Sequence, residues 1–64
     1  MAKYQIIDKY GVDLLKIKFK DWHQLASSLC QKTVFSYQQV MEYEGDLVGL
    51  NGLIINTGLE VVEA

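Results

Sequence analysis

Polar and apolar residues alternate in two early runs of the chain. Residues 3–8 place Tyr4 and Ile6 on one side of an extended backbone, alternating with Gln5 and Ile7. In residues 12–19, Leu15, Ile17 and Phe19 fall on one face, and Lys16 and Lys18, followed by Lys20, fall on the other. A period of two is the mark of a half-buried strand. Between the runs stands Asp8-Lys9-Tyr10-Gly11, whose glycine can take the positive φ of a tight turn. The two runs therefore predict an N-terminal β-hairpin.

The period then changes. Trp22, Leu25, Ala26, Leu29 and Cys30 recur at i, i+3, i+4, i+7 and i+8, an apolar stripe on a helix of 3.6 residues per turn. Asp21 is a preferred N-cap, with Gln24 three residues on, so a helix is predicted over 22–31. Residues 34–44 support two readings. The β-branched and aromatic content favours a strand with Phe35, Tyr37, Met41 and Tyr43 on one face. As a helix, Ser36 would cap, Gln39 would close the box, and Tyr37, Val40 and Met41 would face inward. After a turn at 44–46, residues 47–50 and 53–62 read as short strands punctuated by Asn51-Gly52 and Asn56-Thr57-Gly58. Asn-Gly between apolar runs is a strong hairpin signal. The expected fold is one α+β domain over residues 1–64. An N-terminal hairpin and one amphipathic helix would pack on a small antiparallel sheet completed by about three C-terminal strands.

Composition sharpens this picture. The chain has 64 residues, half of them apolar. A domain of that length buries only about 60% of the surface its unfolded chain exposes. The single cysteine forms no internal disulfide, and with the single histidine it falls short of a zinc site built from four such ligands. A second subunit or a protein partner is then the natural source of extra burial. Residues 53–62 hold Leu53, Ile54, Ile55, Leu59, Val61 and Val62 with only Glu60 charged among them. Read as one strand, this segment is long, apolar and free of lysine and proline, so its edge calls for another strand. Leu53, Ile55, Leu59 and Val61 are therefore the expected partner interface, across a two-fold axis or against another protein.

Charge is unevenly spread. The first 32 residues carry six lysines against three aspartates, net +3; the last 32 carry five carboxylates and no base, net −5. Cross-strand pairing between the halves is the simplest expectation. Lys16, Lys18 and Lys20 give a second reading, a nucleic-acid face with Tyr10 and Trp22 nearby. The absence of arginine and the acidic balance argue against it.

Catalytic chemistry finds little support. His23 and Cys30 lie seven residues apart on one predicted helix, about 10.5 Å along its axis, too far for a nucleophile and its base. Cys30 reads as a small core hydrophobe and His23 as a solvent-facing residue. Glu42, Glu44 and Asp46 would share one strand face but lack the glycine and terminal glutamate of a calcium loop. No phosphate-cradling glycine loop occurs. The sequence thus leads to a non-enzymatic regulator or inhibitor that binds another protein and self-associates. No cofactor, metal, small-molecule substrate or membrane is expected. No charged-then-apolar leader is visible, so a cytoplasmic setting is expected.

Overall fold

The computed structural model describes residues 3–64, and their side chains other than those of residues 14 and 15. Strand β1 (Tyr4–Asp8) is followed by β2 (Asp13–Phe19), helix α1 (Trp22–Lys32), α2 (Tyr37–Met41) and α3 (Leu47–Ile54). A 3-10 turn (Ile55–Thr57) and strand β3 (Leu59–Glu63) complete the order. The sheet is antiparallel with order β2-β1-β3, so the first strand lies at its centre. The α+β class, the N-terminal hairpin and a C-terminal strand thus stand as the sequence implied. Among the described residues, no helix is long and apolar enough to cross a membrane.

The hairpin loop follows from Asp8 and Gly11. The Asp8 carboxylate accepts from the backbone N–H of Tyr10 (2.8 Å) and Val12 (2.9 Å). Gly11 sits at φ 83°, in the left-handed region that closes a three-residue loop. Strand β2 is not regular. Asp13 stands opposite Ile7 and Lys18 opposite Gln5, so residues 14–17 face the single Ile6. This wide bulge turns on Lys16, whose φ of 54° is left-handed and whose N–H donates to the Asp13 carboxylate at 2.9 Å. The expected stripe is broken accordingly: Phe19 is buried, but Ile17 is half exposed. The side chain of Leu15, expected on the same face, lies outside the described residues.

Helix α1 forms as predicted. The Asp21 carboxylate accepts from Gln24 N–H (3.0 Å), while the Gln24 side chain reaches back to the N–H of Lys20 (3.0 Å), one residue before the cap. Thr33 ends the helix, with its N–H and hydroxyl both donating to the Leu29 carbonyl. Trp22, Leu25, Ala26 and Leu29 are buried; Cys30 is half-buried and His23 exposed. The Trp22 indole N–H donates to the Val40 carbonyl at 2.8 Å, tying α1 to α2.

Two strand expectations are corrected. Residues 37–41 are helical, capped by Ser36 and Gln39 in a reciprocal box of 3.1 and 2.9 Å, so local capping overrides the β-branched composition. Residues 47–54 are also a helix, begun by Asp46, whose carboxylate accepts from Gly49 N–H at 2.9 Å. Asn51-Gly52 is therefore no hairpin turn but the middle of α3. Gly49 fits closely there, since a β-carbon would meet the capping Asp46 carboxylate at 2.4 Å and the Tyr43 ring at 2.8 Å. The segment 53–62 is not one strand: it divides into the end of α3, the 3-10 turn and β3, with Gly58 at φ 79° between the last two. The second half contributes one strand, not three.

All three helices pack on one sheet face. Ile6, Phe19 and Val61 from the sheet meet Leu25, Ala26 and Leu29 of α1, Val40 of α2, and Leu50 and Ile54 of α3. The register gives the other face Gln5, Ile7, Lys18 and Val62. No buried side-chain polar atom among the described residues lacks a partner.

Candidate functional site

The expected association needs an open sheet edge. On β3 the pairing of Ile6 with Val61 leaves the backbone N–H and C=O of Val61 directed away from β1. Asn51 of α3 takes both: its amide donates to the Val61 carbonyl at 2.9 Å and its carbonyl accepts from the Val61 N–H at 2.8 Å. A side-chain amide thus stands where a fourth strand would. The neighbouring Leu59 N–H donates to the Thr57 hydroxyl at 3.2 Å. The other edge, β2, carries the bulge and the exposed Lys16 and Lys18, devices that disfavour strand addition.

The expected partner residues separate in space. Val61 is 1% exposed and belongs to the core, so its side chain offers nothing to a partner. Leu53 and Leu59 are half-buried and pack against that core. Ile55 is 70% exposed. The sequence reading of these residues as one strand failed because Ile55 lies in a helical turn and Val61 in the strand beyond it.

A different surface emerges around Ile55. Val48, 85% exposed, Gly52 and Ile55 follow at i, i+4 and i+7, so they share the outward face of α3 and its 3-10 extension. From Leu47 to Ile54 the helix has no charged residue, and it is apolar on both its buried and its bare face. Beside this ridge lies a cleft of about 340 Å³ lined by Ile55, Leu59, Gly52 and Gly58, with Asn51, Lys9 and Glu60 completing its wall. Lys9 also holds its ammonium 5.2 Å from the centroid of the Tyr10 ring, which is 79% exposed. Sequence reasoning missed Val48, Gly52 and Lys9. The signal was available in the helical spacing of 48, 52 and 55 behind an aspartate cap, but Asn-Gly masked it.

The other candidates disperse. Lys16 lies in the bulge, Lys18 opposite Gln5, and Lys20 beyond the strand, so the regular alternation expected of a lysine face is interrupted. Acidic β3 is separated from lysine-bearing β2 by β1, and its Glu60 and Glu63 stand opposite Ile7 and Tyr4. The expected cross-strand pairing of the halves is therefore not the register observed. Glu42, Glu44 and Asp46 share no strand face. Glu42 caps α2, Glu44 lies in the following turn and Asp46 caps α3. His23 Nδ1 hydrogen-bonds the Tyr37 hydroxyl, a link between α1 and α2 at the surface. A shallow depression of mixed polar and apolar surface runs from Ile17 past His23 and Ser27 to Gln31.

No protein-family model matches the chain, and no curated protein or solved structure matches it either.

Proposed function

We propose that this protein is a small non-enzymatic interaction module that regulates or inhibits another protein by binding it, with the bare face of α3 and the adjoining cleft as its contact surface. The observation that carries this reading is the pair Val48 and Ile55, 85% and 70% exposed on one face of an uncharged helix. Single exposed apolar residues are ordinary on a soluble protein. Two on one helical face, beside an apolar cleft, form the kind of patch that marks an association site. A volume of about 340 Å³ suits one large anchoring side chain, and Lys9 and Glu60 supply a polar border for it.

The test uses the parent chain and the Val48→Lys and Ile55→Lys variants as immobilised baits for a partner identified by mass. Both positions are exposed, so melting curves should match the parent. A partner held by the parent and lost by both variants supports the reading. A partner held equally by all three removes α3 from the role. Salt-sensitive retention of nucleic acid that depends on Lys16, Lys18 and Lys20 would replace the reading.

A further inference from the structure

We infer that the α3 face takes a second copy of this chain, docked with the two α3 helices antiparallel across a two-fold axis beside Asn51 and Gly52. The inference rests on α3 being a contact surface and names its occupant. In an antiparallel two-fold pair, positions equidistant from the axis face each other. Val48 and Ile55 are equidistant from the midpoint between Asn51 and Gly52, so each meets the other's counterpart on the second copy. The exposed ridge is thus complementary to itself.

Gly52 stands almost on that axis. A glycine inside a helix is destabilising relative to alanine. Nothing within the chain requires one here: a β-carbon at 52 would have no neighbour within 4 Å, and the backbone is not left-handed. A small residue at the crossing lets the two backbones approach closely.

Charge selects the orientation. Glu42, Glu44 and Asp46 precede or cap the start of α3 with no base among them. Parallel pairing would set the two acidic turns side by side. Antiparallel pairing sends each to the far end of the other helix, where Lys9 lines the cleft with Ile55 and Leu59. Glu60 lines that cleft too, and Lys9 is the only cation among the lining residues. Antiparallel helix dipoles agree with this choice. Strand addition offers no easier route, since Asn51 occupies one sheet edge and the bulge distorts the other.

A standard interface takes about 800 Å² from each partner. That is about a fifth of the 4227 Å² surface of this chain, so the α3 ridge must be joined by the adjoining cleft and hairpin loop to reach it.

Sedimentation equilibrium from about 10 µM to about 1 mM reads the outcome. The parent should reach the dimer mass at the upper end, and Val48→Lys and Ile55→Lys should each weaken association roughly tenfold or more. Lys9→Glu should weaken it as well, and adding Glu44→Lys to that variant should restore it, because the antiparallel pairing brings the acidic turn of one copy to the Lys9 end of the other. A parent that stays monomeric at about 1 mM overturns the second copy as occupant; the bait experiment then judges the contact surface separately. A dimer indifferent to both lysine substitutions overturns the placement on α3. Charge reversal without restoration overturns the antiparallel geometry.

Discussion

Asn51→Ala removes the amide that closes the β3 edge while leaving the core untouched. The two hydrogen bonds to Val61, 2.9 and 2.8 Å long, are neutral and contribute about 1 kcal/mol each. Alanine is the better helix former by up to about 0.7 kcal/mol, which offsets part of the loss. The net destabilisation is about 1–2 kcal/mol. For a chain of this size a urea slope of about 1 kcal/mol/M turns that into a midpoint lower by about 1–2 M. Asn51→Asp should cost at least as much. Its carboxylate still accepts from the Val61 N–H but opposes the Val61 carbonyl, which loses its only donor. Amide hydrogen exchange gives a residue-level check: Val61 should lose protection in Asn51→Ala but keep its local protection in Asn51→Asp, where the carboxylate still accepts its N–H, while Leu29 keeps its own up to the global limit in both. An unchanged midpoint in Asn51→Ala, together with a Val61 amide as protected as in the parent, would refute the reasoning. Water would then serve that edge as well as Asn51 does.

Leu29 is fully buried, so Leu29→Ala should lower stability by about 2–5 kcal/mol and leave a chain this small close to unfolded in the same urea titration. Lys16→Gly should raise stability by about 0.5–1 kcal/mol, read as a higher urea midpoint, because a side chain at φ 54° is strained and glycine is not. Gly58→Ala should lower stability by about 1 kcal/mol for the converse reason, read as a drop in melting temperature. Gly52→Ala should separate two roles of one residue, with stability up by about 1 kcal/mol from helix propensity and dimer mass reached only at higher concentration.

The elements legible in the sequence are those whose signals are local and agree with one another. The hairpin has alternation, Asp8 and Gly11; α1 has a cap, a stripe and a cation in its last turn. In α2 the signals conflict. The Ser36–Gln39 box prevails over β-branched composition because it satisfies two backbone donors that a five-residue helix would otherwise leave free. Helix α3 was hidden by its own uniformity. With apolar residues on the core side and the bare side, no contrast of 3.6 residues stands out, and Asn51-Gly52 imitates a turn. Leu47, Leu50 and Ile54 at i, i+3 and i+7 behind Asp46 carry the helical pattern. The β2 bulge and the Asn51–Val61 clamp depend on what faces each backbone group in three dimensions, so neither leaves a mark in local composition. Ile55 and Leu59, expected from the sequence as partner residues, also line the cleft of the proposed contact surface. The sequence puts Ile55 on a strand edge, whereas the structure sets it in the 3-10 turn that follows α3.

The sheet order has a consequence for how the chain reaches its native state. The central strand is the first made, and one of its two neighbours, β3, begins about 50 residues after it ends. Closing a loop of that length costs about 3.5 kcal/mol of chain entropy before any β1–β3 contact forms. Nucleation therefore belongs to the β1–β2 hairpin and the helices, with β3 added late, and folding should run more slowly than in a helical bundle of equal length. On the ribosome, Tyr4–Asp8 has its outer edge open from the moment the hairpin forms until Leu59–Glu63 emerge from the exit tunnel. That interval, not the native surface, is when this chain presents an unpaired central strand to its neighbours.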